Sequence, residues 1–242
     1  ALPQRRTVVL LGAGRAYDLP LEELSERFQR LVLVDIDGDA LADTVTTRLP
    51  HARDRVRTIV ADLTGVNASL RYRIERLARE RGSFARLASG YALTGPPALA
   101  FDESPELVVS CLVLSQLHVP LVAHARARMA AWDPTFDDAA FELALRLQQD
   151  HVAGVLAAAP TAVLISDVWE QEITATPDGR LEPLGEPGRQ LGVVDLSDRI
   201  PVGVTVADAA HWRWDKQLPE APGALGTSLE VQALRLQRAT SL

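Results

Sequence analysis

The chain has 242 residues, enough for one domain or one domain with an insertion, and its 47% apolar content can fill a core. Its formal net charge of −7 argues against broad, unspecific nucleic-acid binding, because neutralising phosphates needs a basic surface. No apolar run reaches the roughly 18 residues of a membrane span, and the single Cys111 excludes an internal disulfide framework and a Cys-rich zinc site.

Arg5 and Arg6 lead directly into an apolar run, not into a signal-peptide pattern, so a cytoplasmic location is the default expectation. Residues 7–11 read as a buried strand, ended by Gly12-Ala13-Gly14. Leu21, Leu24, Phe28 and Leu31 follow at helical spacing, with Pro20 near the helix start and Asp18 as a candidate cap. Residues 31–34 form a second buried strand, ended by Asp35. A helix is expected over 39–48, before Pro50. A third strand over 56–61 ends at Asp62. Strands alternating with helices, with apolar runs of this kind, predict a parallel α/β sheet covered on both faces.

Leu70, Ile74 and Leu77 mark another helix, which Gly82 can terminate. Residues 83–105, rich in Gly, Ala, Ser and Pro, read as a long loop with room for one short helix, a candidate lid. Residues 107–114 are the fourth strand and its exit. Helices follow over about 119–131 and 138–158, with Phe141, Leu145, Val152 and Leu156 at core-facing spacing in the second. Residues 161–166 are the fifth strand, ended by Asp167. Turn signals make 175–193 an exposed loop. Two more strands are expected near 209–214 and 229–236. The fold class is therefore α/β, a Rossmann-like, mostly parallel seven-stranded sheet with helices on both faces and a C-terminal antiparallel hairpin. One domain over 1–242 is expected.

Three features fall at successive strand ends, where open α/β sheets bind ligands. Gly12-Ala13-Gly14 lets the backbone approach a ligand, and the helix that follows offers free N–H groups. Asp35 lies 21 residues after Gly14, and a carboxylate there can accept from a ribose diol. Asp62 can accept from an adenine amino group, with Leu63 packed on the ring. Their order points to an adenosine-containing cofactor. A nicotinamide dinucleotide fits less well. Its fingerprint needs a third small residue where this chain has the bulky Tyr17. Short-chain dehydrogenases also need a Tyr with a Lys four residues later, whereas the only Lys, Lys216, is preceded at that spacing by Trp212.

Residues 7–24, 31–37 and 57–63 resemble the first three motifs of class I S-adenosylmethionine (SAM)-dependent methyltransferases. Residues 107–118 resemble their fourth-strand motif, 161–167 their fifth strand, and the last two strands their terminal antiparallel hairpin. The resemblance covers most of 7–170. It implies that Gly12, Ala13 and Gly14 line the methionine part of SAM, that Asp35 binds the ribose and Ile36 touches the adenine, and that Asp62 with Leu63 holds the adenine amino group. It also implies that Ser110 and Leu112 lie beside the methionine. The chain departs from the family at Arg15-Ala16-Tyr17-Asp18, where a third Gly is common, and at Ser110, where an acid or Asn is common.

The acceptor is less legible, because methyl transfer from a sulfonium needs mainly position and, for a protonated acceptor, a base. The Asn/Asp-Pro-Pro-Tyr motif of amino-methylating nucleic-acid enzymes is absent, and Cys111 has no neighbouring Pro as a cytosine-C5 nucleophile would. His118, with its near-neutral pKa, is the candidate catalytic base. Gln116, His151, Asp167 and Trp169 are candidate substrate contacts. Each also has a plain reading as a cap or packing residue. A small-molecule acceptor is the first expectation. An RNA or protein methyltransferase, and a non-catalytic subunit that keeps the fold, are the alternatives.

Overall fold

The computed structural model describes residues 5–90, 101, 103–189 and 196–238. The first apolar run forms β1 (Arg5–Leu11), whose alternate residues enter two separate cores. Val9 and Leu11 face one, Val8 and Leu10 the other, and all four are almost fully buried. In β2 (Phe28–Asp35), Val32 and Val34 face the first core and Leu31 and Leu33 the second. Burial on both faces explains why these strands read as continuous apolar runs. β3 (Val56–Val60) is the sheet edge and is correspondingly more exposed. β4 (Leu107–Cys111) and the first third of β5 (Thr161–Ala175) complete a parallel sheet in the order β3-β2-β1-β4-β5.

Helices cover both faces. α1 (Leu21–Arg27) and α2 (Gly38–Thr47) pack on the second core through Leu21 and Leu41. α3 (Asn67–Arg79), α4 (Ala85–Ser89), α5 (Val119–Met129) and α6 (Phe136–Ala158) supply the first. Each fully buried Leu or Ile here contributes about 1.5–3 kcal/mol, and the stripe Leu70, Ile74 and Leu77 of α3 supplies three such side chains. Among the described residues, no helix is long and apolar enough to cross a membrane.

The remaining strands are antiparallel. β8 (Leu225–Arg238) pairs with β5 along its whole length, and β7 (Val204–Gln217) lies outside β8. β6 (Leu181–Arg189) pairs with the far part of β5, from Trp169 to Ala175. β4 pairs with β5 at residues 161–165, so β6 continues the same edge beyond the point where β4 stops. The far half of β5 thus carries an antiparallel extension at the carboxyl end of the parallel sheet.

Several expectations are corrected. The sheet has eight strands, not seven. The eighth comes from 175–193, read as an exposed loop. Thr176 and Gly179 close a turn there and Leu181 begins β6, while 190–193 lie outside the described residues. Phe28 belongs to β2, its side chain buried after the chain has left α1. Asp18 does not cap α1, whose N-cap position is Pro20. In α6, Phe141 is exposed and Leu143 and Leu147 take the core face. At the end of α3 the left-handed residue is Arg81 (φ 48°), and Gly82 donates its N–H back to the Leu77 carbonyl at 2.8 Å. The segment 83–105 opens with α4, whose Leu87 and Ala88 are fully buried. Of the candidate lid over 83–105, residues 91–100 and 102 lie outside the described residues.

Candidate functional site

Strand β1 connects to β2 on one side, and the chain later returns to place β4 on the other side of β1. The strand order therefore reverses between β1 and β4, and open sheets leave a crevice at the carboxyl end of such a point. A cavity of about 440 Å³ opens there. It is lined by the β1 turn from Gly12 to Leu19, the ends of β2 and β3, and the β4 exit with the start of α5. That volume lies within the range of small-molecule sites, about 300–1,000 Å³.

Glycine is required at position 12 by the fold itself. Its φ of 71° is left-handed, and a Cβ there would meet the Val113 side chain and lie 2.8 Å from the Cys111 carbonyl oxygen. The β1 turn and the β4 exit are thus in direct contact. Leu112 sits in the left-handed region too (φ 53°), an unfavourable conformation for a bulky residue. The kink lets Cys111, Leu112 and Val113 all border the cavity. Gly14 (φ 45°) donates its N–H to Asp35 Oδ2 at 2.8 Å, and Asp35 Oδ1 accepts from the Asp37 N–H at 3.0 Å. Asp35 therefore ties the first turn to the second, with one backbone donor on each oxygen and lone pairs to spare.

Asp62 is used in a similar way. Its Oδ1 accepts from the Thr64 N–H (3.0 Å) and hydroxyl (2.7 Å), and its Oδ2 from the Asn67 N–H (2.9 Å) at the first turn of α3. The carboxylate closes the β3–α3 loop and satisfies a free helix donor. Leu63 beside it and Ile36, which is 62% exposed, give the β2–β3 end of the cavity an apolar wall.

The cavity brings together Gly12, Ala13, Gly14, Asp35, Ile36, Asp62, Leu63, Leu112 and Gln116. It does not bring in Ser110, His118, His151, Asp167 or Trp169. Ser110 is fully buried and its hydroxyl pairs with His151 Nε2 at 2.8 Å. Burial pulls the His151 imidazole down to about 4. His118 precedes α5, is almost fully buried, and its Nδ1 has no partner among the described residues. Burial lowers its pKa to about 4 as well, so it is neutral near pH 7. Asp167 is buried on β5, and its Oδ1 has no partner among the described residues. Burial pushes its carboxyl pKa up, and the Ser115 hydroxyl pulls against that. Trp169 follows at a bulge and is half-buried. Cys111 borders the cavity as an inert thiol, pushed up to about 12 by burial and by the charge of Asp18.

Asp18 is a cavity residue that the sequence reading took for a helix cap. Its signal was present, because Pro20 already marks the helix start and leaves the acid no helical role. Thr44 and Arg48 of the α2 region are also missed. Thr44 donates to the Gly14 carbonyl at 2.9 Å. Arg48 donates to the carbonyls of Ala16 and Leu19, the latter at 3.2 Å, and pairs with Glu22 at 2.8 Å. These contacts join residues about thirty positions apart, and no local pattern announces them.

No family model matches the sequence, and no curated protein matches it. Similar folds are found among solved structures, and three of them, each at low identity, follow. The N-methyltransferase NodS of Bradyrhizobium japonicum is 10% identical, with 98% of this chain and 86% of that chain covered and a TM-score of 0.47. An S-adenosylmethionine-dependent methyltransferase of Clostridium acetobutylicum is 9% identical over 97% of this chain and 85% of that one, with a TM-score of 0.45. A candidate RNA methyltransferase of Pyrococcus horikoshii is 12% identical over 98% and 76%, with a TM-score of 0.44. With scores below one half, the assignment of the site rests on the cavity itself.

Proposed function

We propose that the chain is a SAM-dependent methyltransferase acting on a small molecule in the cytoplasm. One observation carries this reading. A single cavity at the β1/β4 switch point is bordered, in sheet order, by Asp62 and Leu63 at β3, Asp35 and Ile36 at β2, and Gly12-Ala13-Gly14 at β1. That order matches adenine, ribose and amino-acid ends of one extended ligand. The spare lone pairs of Asp35 suit a ribose diol, and Ile36 and Leu63 suit the faces of a purine. When bound, the cofactor supplies a methyl already activated on a sulfonium.

The protein's part is to orient and to exclude water. Leu112, Val113 and Leu117 close the β4 side with apolar surface. Gln116 lines the cavity and is the polar group placed to orient an acceptor. His118, two residues on, is almost fully buried outside the cavity and burial disfavours its protonated form, so it belongs with the groups behind this wall. Ser110, His151, Asp167 and Trp169 act behind this surface as its support. The net charge of −7 favours a small acceptor over RNA.

Calorimetry with SAM and S-adenosylhomocysteine tests the reading. We expect both to bind, and Asp35→Ala to weaken both by about 1–3 kcal/mol, the range for leaving polar groups unpaired. Failure of the unaltered protein to bind either ligand overturns it.

A further inference from the structure

β7 is the last strand of the sheet, and no described strand pairs with its outer edge. It is 14 residues long, against about 5–6 for a common strand, and none of its residues is buried. Both of its faces are open to solvent, and its outer edge presents a row of backbone N–H and C=O groups. Edges of this kind are usually blunted by short length, by Pro or by bulges. β7 has no Pro, and its bulges fall near its two ends, at 206–208 and 215–217, which leaves 208–215 regular. Trp212 lies in that run, 41% exposed, on the same face as the half-buried Trp214. Their neighbours on β8, Val231 and Leu229, are almost fully buried. The edge is open to one more strand.

The residues of the run decide what that strand can be. In an antiparallel pair, opposed residues either both turn their backbone groups toward each other or both turn them away. Two copies of one strand can therefore pair only about a twofold axis that passes through a residue. Axes at His211 (pairing 208–214) and at Trp212 (pairing 209–215) use the regular run most fully. An axis at His211 sets the apolar Trp214 against the charged Asp208 of the other copy. An axis at Trp212 sets Trp214 against the small Ala210, twice, and lays the two Trp212 rings beside each other. It also brings Lys216 to Asp208 of the other copy at each end. Large against small, aromatic beside aromatic and opposite charges together are the cross-strand pairs that stabilise a sheet.

We propose that β7 is the contact between two copies of this chain, paired antiparallel about a twofold axis at Trp212, so that the two sheets join into one. A second copy is selected over an unrelated strand by the self-complementarity of 208–216 in size and charge. The pairing also covers the exposed Trp212 and satisfies the backbone groups of the bare edge. It is independent of the cofactor reading, because no residue of β7 lines the cavity at the β1/β4 switch point.

Sedimentation velocity on the full chain over a range of concentrations tests the association, and thiol cross-linking tests the register. We expect the unaltered protein to sediment as a dimer that dissociates on dilution. Trp212→Lys puts two like charges at the axis and should weaken the dimer about tenfold or more. Trp212→Cys places two thiols about 5 Å apart across the axis, and a short bis-maleimide should join them into a covalent dimer. In Ala209→Cys the two thiols lie six positions apart along the strand, about 20 Å, and should join far less. The unaltered protein, whose single Cys111 is buried, serves as the blank. A monomer at every concentration overturns the proposal, as does a dimer that Trp212→Lys leaves intact. Equal cross-linking at 209 and 212 overturns the register, and the cross-linking arm stands even if Trp212→Lys fails to fold.

Discussion

The two sides of the cavity are built from different kinds of contact. On the β1–β3 side, each strand ends in an acid or a glycine that organises its own turn. Asp35 ties Gly14 to Asp37, Asp37 caps α2 through the N–H groups of Asp39 and Ala40, and Asp62 closes the loop into α3. On the β4–β5 side, the polar groups are buried and mostly turned inward. Ser110 meets His151 across the core, and His118 and Asp167 each keep a polar atom without a partner among the described residues. The first side is held by hydrogen bonds mostly within five residues of one another. The second is held by packing between β4, α5, α6 and β5. A ligand can therefore find prepared acceptors on the first side, while the second supplies shape and a low-polarity wall.

The largest effect should come where the two sides touch. Gly12→Ala places a methyl against Val113 and the Cys111 carbonyl at a left-handed φ. We expect a loss of about 3 kcal/mol or more, combining overpacking with backbone strain. Denaturant unfolding measures it. An unchanged midpoint would mean that the β1 turn and the β4 exit are not in contact, and the comparison would collapse.

The next effect concerns the buried imidazoles. His118 and His151 are held at about 4, below the ordinary value of 6.5 that they regain on unfolding. Between those pH values the unfolded chain binds protons that the folded chain refuses, so stability falls as pH falls from about 6.5 to about 4. Below that window the loss is complete, roughly 3 kcal/mol for each group. His118→Gln should remove one proton from the slope of stability against pH. A slope unchanged by that substitution would show that His118 is hydrated, and would move it to the ligand-facing side.

A smaller effect is expected at Asp62. Asp62→Ala removes the acceptor of three donors around the α3 start, which should cost about 1–2 kcal/mol of stability, as a lost helix cap does. Thermal unfolding with and without SAM separates its two duties. A ligand-free midpoint that does not move would make Asp62 a ligand group with no structural role, which would sharpen the contrast with Asp35.

The difference between the sides also decides what could be read without a structure. Gly12, Gly14, Asp35 and Asp62 stood out because each completes a pattern within a few residues, an apolar strand followed by a turn former. Asp167 ends the fifth strand as read from the sequence and lies on β5, His118 follows β4, Ser110 lies within β4 and His151 lies on α6, and the structure places all four outside the cavity. A one-residue kink at Leu112 (φ 53°) reassigns which β4 residues face it. Strand alternation alone places Ser110 and Leu112 on one face, yet the left-handed residue breaks that alternation.

Buried two-sided strands, their helical connections and the acids at their ends follow from the sequence, because hydrophobic periodicity and turn chemistry act over short distances. They determined the α/β class, the parallel sheet and the side of the cavity next to β1, β2 and β3. The tertiary structure decided the rest. The eighth strand forms because the far part of β5 has an edge that β4 leaves bare. Asp18 faces the cavity because Arg48, about thirty residues away, holds the turn that carries it. Both depend on chain segments that meet only after folding, and a contact of that kind leaves no period or spacing in the sequence.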